Sequence, residues 1–340
     1  MKRQLLALAA LTVAAGASAQ SNVTLFGIAD ASVAHISTSD KNVTGLANGG
    51  NSSSRLGFRG VEDLGNGLKV GFWLEGGVNV DDGGTGFKFD RRSTISLSGN
   101  FGEVRLGRDK TPAYQVLENF HPFGDSGMGA INAHSLISSG AGTAEGTNAK
   151  RFSNAVSYLL PKMGGMYGQL SHSFGEQAGD NNLQSNTGLN LGYKSGGLNV
   201  AMGYNLARGG TSVAHVNYKA FNLGASYEVA GFTPMVLMGS ERGNDKRVDM
   251  YSVGLKAKLG NGELRAAYTL FKDKKQDEAD SKRLALGYGY KLSKRTEIYT
   301  TVARMSNDDK AARKLGSSLS PTPNVGKSLT GYEIGLRHSF

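Results

Sequence analysis

The sequence predicts an all-β chain, a closed antiparallel transmembrane β-barrel of sixteen strands. Three observations carry this expectation. Polar and apolar residues alternate with period two in segments of about ten residues, the length a tilted membrane strand needs. Tight turns rich in Gly and Asn alternate with long polar links, as in barrels with short turns on one side and long loops on the other. No amphipathic helix of substantial length is found after Ser21.

Composition agrees. The 340 residues are 39% hydrophobic and 19% charged, too polar for a helical membrane protein but suited to strands with one face in water. Glycine (49 residues against 6 prolines) recurs inside strand-like runs such as LGYGYKL (286–292), where it permits curvature and close strand contact. The absence of cysteine excludes a disulfide framework and thiolate metal sites. The net charge of +10 is spread along strands without a long basic run, so small anions and anionic lipid are better partners than nucleic acid.

In chain order, Lys2 and Arg3 precede an apolar run from Leu5 to Ala15 and an A-x-A site at Ala17-Ser18-Ala19. This is the pattern of a secretory signal over 1–19, with the barrel over 20–340. Cleavage would remove two positive charges. A helical anchor is the alternative, and the short apolar run disfavours it.

RLGFRG (55–60) places Leu56 and Phe58 on one face, Arg55 and Arg59 on the other. LKVGFWLEG (68–76) separates Val70, Phe72 and Leu74 from Lys69, Trp73 and Glu75. STISLSG (93–99) separates Ile95 and Leu97 from Thr94, Ser96 and Ser98. RFSNAVSYLLP (151–161), MYSVGLKAKL (250–259) and RLALGYGYKL (283–292) alternate likewise, and the polar faces are small or basic, with no second apolar layer expected beneath them. The last segment, LTGYEIGLRHSF (329–340), sets Tyr332, Ile334, Leu336 and Phe340 against Glu333 and Arg337.

Seven tight turns are read at 64–67, 99–102, 161–165, 194–197, 230–232, 259–262 and 293–295. Two strands around each, with one more at either end, make sixteen. Longer links fall at 81–89, 175–184, 272–280 and 306–327. The link at 110–149 is too long for an ordinary loop and holds a short helix at PAYQVLENF (112–120). Folded into the bore it would narrow the channel; a disordered external loop is the alternative.

The segments SNVTLFGIADASV, SSSRLGFRGVEDLGNGLKVGFWLEGG, FDRRSTISLSGNFGEVRLGRD and LGYGYKLSKRTEIY, with the terminal GLRHSF, resemble the general porins of Gram-negative outer membranes. The likeness is nearest to the β-proteobacterial branch that includes anion-selective members, and it covers Ser21 to Phe340. It implies a homotrimer of water-filled barrels for small hydrophilic solutes, set in outer-membrane lipid and lipopolysaccharide. It also implies that 110–149 forms the constriction and that Phe340 is read by the outer-membrane assembly machinery.

The family's basic wall residues correspond to Arg55, with Arg59 deeper on the same face, to the Arg91-Arg92 pair, and to Arg151. Parity turns Arg92 inward and Arg91 outward, but a bulge would reverse this, so both are candidates. The loop acids correspond to Glu118 and Asp125; the porin motif PEFGG reads HPFGD here. Glu75 is an inward wall acid by parity. Guanidiniums stay charged at any working pH and would favour anions in a narrow bore.

No cofactor, metal site or catalytic site is expected. The histidines lack metal-ligand spacing, and Gly326-Lys327-Ser328 lacks the first glycine of a P-loop, with Pro321 in its place. The rival readings are an outer-membrane enzyme, for which His35 with Asp30 or Asp40 is the one local candidate, and a ligand-binding or adhesin barrel.

Overall fold

The structure is a computed structural model that describes residues 22–84, 86–131, 150–211 and 214–340. The expected signal over 1–19 and the second half of the long link, 132–149, lie outside the described residues.

The strands are β1 (Asn22–Ser37), β2 (Asn42–Asn48), β3 (Arg55–Gly65), β4 (Leu68–Gly77), β5 (Arg92–Gly99), β6 (Gly102–Lys110), β7 (Arg151–Leu159), β8 (Met166–Ser173) and β9 (Asn186–Ser195). They continue as β10 (Leu198–Thr211), β11 (Ala214–Tyr227), β12 (Phe232–Gly243), β13 (Lys246–Leu259), β14 (Gly262–Asp273), β15 (Ser281–Lys291), β16 (Thr296–Asn307) and β17 (Leu329–Ser339). Every pairing is antiparallel, and β17 closes on β1 with Ile28 opposite Ser339 and Ser37 opposite Thr330. Closure removes both sheet edges.

Seventeen segments fill sixteen wall positions. The upper half of β1 pairs with β2 and its lower half with β3, so these two stack in one position. The break between them, Gly49–Ser54, is held by Asp30, whose Oδ2 accepts from the N–H groups of Asn51 (3.0 Å) and Ser52 (2.6 Å). Alternation alone could not show this break, because SSSRLGFRG reads as an ordinary strand start.

All seven expected tight turns join neighbouring strands at one end of the barrel. The opposite end departs from the expected rhythm. Three of its connections are short as well, β1–β2 and β10–β11 and also β12–β13. In the last, Asn244 and Asp245 both take positive φ (50° and 57°), the geometry of a type I′ hairpin.

Outward side chains form an apolar band that includes Leu25, Phe72, Ile95, Leu223 and Ile334. The inner face corrects one expectation. On β13–β17 it carries Val248, Met250, Phe271, Met305 and Leu329, which form a buried cluster with Met128 and Ile131 of the long link and Leu315 of the β16–β17 link. The second apolar layer comes from the loops, which periodicity along a strand does not report.

The third external loop begins as the helix α1 (Pro112–Asn119), with Pro112 at its first turn, where the missing N–H costs nothing. It lies inside the barrel against β9–β11. Three inward asparagines fasten its start. Asn205 Oδ1 accepts from Ala113 N–H (2.8 Å), Asn222 Nδ2 donates to Ala113 C=O (2.9 Å), and Asn190 Nδ2 donates to Pro112 C=O (3.2 Å). Phe120 is buried, with Gly224 leaving room for its ring.

Candidate functional site

Beyond Phe120 the loop crosses the bore. Glu333 Oε1 of β17 accepts from Met128 N–H (3.0 Å), and Ser126 Oγ accepts from Ser53 N–H in the wall break (3.0 Å). Gly127 takes φ +77° with its Cα against Gly50 C=O, a place no Cβ can occupy. The fully buried Arg283 donates to Ala130 C=O.

The wall opposite these anchors is short. Strands β5 to β8 have only eight or nine residues, and β3, β5 and β7 each begin on arginine. Their starting level is therefore the level of the loop. Glu75, at the end of β4, is the acid that Arg55 shares with Arg91. Arg91 Nε donates to its Oε1 at 2.7 Å, Arg55 Nη1 lies 3.6 Å from the same oxygen, and Trp73 Nε1 donates to Oε2 at 3.1 Å.

Glu75 is directly opposite Arg92, so parity places Arg92 on the inner face. Arg91 precedes β5 and escapes alternation, and its side chain also turns inward to Glu75. Arg92 leans away, over the Trp73 ring (4.6 Å) and 3.6 Å from Asp109. Arg59 stands apart from the loop acids, stacked between Phe26 (5.2 Å) and Trp73 (5.1 Å). Arg151 Nε donates to Arg91 C=O at 2.9 Å, and no carboxylate pairs with it among the described residues.

On the loop, Glu118 binds Lys110 Nζ at 2.6 Å, and Asp125 binds Lys150 Nζ at 2.9 Å and accepts from Tyr114 Oη at 3.1 Å. Burial pushes the Glu118 carboxyl above the usual carboxylate range, against the pull of Lys110. Burial acts the same way on Asp125, but the charges of Lys150 and Lys110 outweigh it and hold that carboxyl well below its ordinary value. Asp125 therefore stays ionised where Glu118 can protonate.

A cavity of about 400 Å³ lies between the loop and the tall wall, lined by Asn51, Asp125, Lys256, Glu263, Arg265 and Arg337 among others. Arg265 and Arg337 share Glu297, each at 3.0 Å. Sequence reasoning placed Lys256 and Arg337 on polar faces but did not join them, because their meeting depends on strand order. The pair suggested for catalysis does not form. His35 is hydrogen bonded to Thr44 Oγ1 (2.6 Å) and stacked on Tyr332, while Asp30 is occupied by the wall break and by Tyr299.

A closed sixteen-position barrel, apolar outside and crossed inside by a charged loop, defines a water-filled membrane channel. The comparisons give the family. The Gram-negative porin family matches residues 7–310, and the chain belongs to it. It is 38% identical to outer membrane porin protein 32 of Delftia acidovorans over the whole of both chains. To the major outer membrane protein P.IB of Neisseria meningitidis serogroup B it is 29% identical, again over the whole of both. Among solved structures it resembles the anion-selective porin from Comamonas acidovorans, with 35% identity, a TM-score of 0.87, and coverage of 94% of this chain and 100% of that one. The protein is thus an outer-membrane porin that lets small hydrophilic solutes diffuse, and not an enzyme.

Proposed function

We propose that this channel prefers anions and that Arg55, Arg91, Arg92 and Arg151 set the preference. The supporting observation is the charge balance of the site. Each acid of the site already has its own cation: Glu75 has Arg91, Glu118 has Lys110, and Asp125 has Lys150. Arg151 then remains without an acid of its own among the described residues, and Arg55 and Arg92 hold theirs only at 3.6 Å. At an effective dielectric near 20, a unit charge at 4 Å is worth about 4 kcal/mol, falling to about 1 in bulk water, so a narrow bore keeps much of this field. The anion-selective title of the Comamonas relative points the same way.

The test is the reversal potential of single channels in a planar bilayer under a KCl gradient. Wild-type channels should reverse in the anion-selective sense. Replacing Arg55, Arg91 and Arg151 together with Ser should lower the anion-to-cation permeability ratio by at least about tenfold, one order for ~1.4 kcal/mol of lost field. An unchanged ratio would reject the assignment.

In the same reading, residues 1–19 are cleaved and the mature chain starts at Gln20, which the mass of the exported protein checks. The channel works as a homotrimer in lipid and lipopolysaccharide, which predicts conductance steps grouped in threes. Phe340 is read by the assembly machinery; its deletion should reduce oligomer yield and leave the conductance of assembled channels intact.

A further inference from the structure

Two arginines of the short wall are held by an aromatic ring more closely than by any acid. Arg59 is exposed and has no hydrogen-bond or ion-pair partner among the described residues. Arg92 lies 3.6 Å from Asp109, a carboxylate that Arg105 already binds at 2.7 Å.

The ring is that of Trp73. The Arg59 guanidinium lies 5.1 Å from its centre and the Arg92 guanidinium 4.6 Å. They reach it from the two flanks of β4, because Trp73 is opposite Arg59 on β3 and opposite Thr94 on β5. Arg92 Nε donates to Thr94 Oγ1 at 3.0 Å, which steadies that side chain over the ring. Phe26 of β1 completes the row, 4.9 Å from the Trp73 ring and 5.2 Å from the Arg59 guanidinium.

The indole also occupies an acid. Glu75 is directly opposite Arg92, yet its Oε1 accepts from Arg91 (2.7 Å) and its Oε2 from Trp73 Nε1 (3.1 Å). A neutral donor thus fills the oxygen that Arg92, on the neighbouring strand, would otherwise take. The two effects act in one direction. A carboxylate that holds a guanidinium cancels its charge, whereas an aromatic face holds it through the ring quadrupole and carries no net charge. The planar, weakly hydrated guanidinium suits such a face.

We infer that Trp73 is a positioning residue of the channel's selectivity, keeping Arg59 and Arg92 ordered along the bore and uncancelled by acid. The inference rests on the anion-selective reading above and deepens it, because it gives a neutral side chain a share in the field. Each stack favours the placement of its guanidinium about two- to fivefold. Trp73 is the one tryptophan of the chain, so tryptophan emission reports this spot alone.

The first measurement is fluorescence quenching of the folded porin in detergent micelles, excited where tyrosine is silent, with iodide and caesium as probes. Iodide should quench Trp73 about tenfold more strongly than caesium, because clustered charge concentrates its counter-ions. Arg59→Gln/Arg92→Gln should remove most of that difference. Equal quenching by the two ions in the wild type would overturn the inference.

The second measurement is the KCl reversal potential. Trp73→Leu should lower the anion-to-cation permeability ratio about two- to fivefold, and Trp73→Phe, which keeps an aromatic face, should restore most of it. In the Arg59→Gln/Arg92→Gln background Trp73→Leu should change nothing further, since its effect passes through those two residues. A ratio that Trp73→Leu leaves unchanged while stability falls would reduce the ring to packing. An undiminished effect in the double-variant background would be equally fatal. Should Trp73→Leu fail to assemble, Trp73→Met takes its place. The two readings fail separately. If replacing Arg55, Arg91 and Arg151 leaves the ratio unchanged, that assignment falls, while the quenching contrast and the Trp73→Leu ratio still decide the role of the ring.

Discussion

The two walls spanned by the in-folded loop treat it in opposite ways. The short wall of β3–β8 presents Arg55, Arg91, Arg92 and Arg151, and its contacts with the loop and with Glu75 are charged or polar. The tall wall buries Met250, Phe271, Met305 and Leu329 against Met128, Ile131 and Leu315, and it adds α1 on β9–β11. Apolar burial and backbone hydrogen bonds on one side hold the loop in place, so the charges on the other side need not. Arg55 and Arg92 keep partial solvent contact (22% each), whereas Arg91 and Arg151 are more deeply set.

That division can be broken from either side. The largest effect is expected on the tall side. Phe120→Ala empties a fully buried ring site below α1 and should cost about 3–5 kcal/mol, read as a lower midpoint for thermal dissociation or unfolding, with noisier open-channel current as the loop loosens. Next is Gly127→Ala, where a Cβ meets Gly50 C=O at positive φ. It should cost on the order of 1–3 kcal/mol by the same measurement. If it is silent, the loop tip is not pressed on the wall break.

Changes on the short side should leave stability almost untouched and move selectivity instead. Arg151→Ser alone should lower the anion-to-cation permeability ratio several-fold, less than ~1.4 kcal/mol of field, with an unchanged unfolding midpoint. A fall in stability without a change in the ratio would reverse the roles assigned to the two walls.

The smallest effect is a pH dependence. Glu118 has a raised carboxyl pKa and Asp125 a lowered one, so acidification removes the charge of Glu118 first. Losing a negative charge makes the bore more positive. The anion preference should therefore rise modestly as pH falls into the range just above the ordinary glutamate value, and Glu118→Gln should abolish the rise. A preference that fell with pH in wild type would contradict this assignment.

Much of the wall could be read from the residues. The seven turns, the inward parity of Glu75 and Trp73, the short helix at Pro112 and the return of Leu329–Phe340 to the first strand all follow from local pattern. Less of the loop was legible. Glu118 and Asp125 follow only from likeness to a family pattern that the HPFGD segment partly keeps. Their cations, Lys110 and Lys150, meet them through the inward turn of the loop. The inward turn of Arg91 also escaped parity, because it precedes β5, where alternation no longer governs direction.

By itself the sequence determined that the chain is an alternating, turn-punctuated barrel and which residues within its strands face the interior. A period of two and a Gly/Asn turn act over a few residues and need nothing distant. Only the tertiary structure decided which inward residues meet. The split of one wall position into β2 and β3, the seating of Gly127 on Gly50, and the gathering of Arg55 and Arg91 around Glu75, with Arg151 on the Arg91 carbonyl, depend on barrel closure and strand tilt. Both are properties of the whole sheet that no single segment carries.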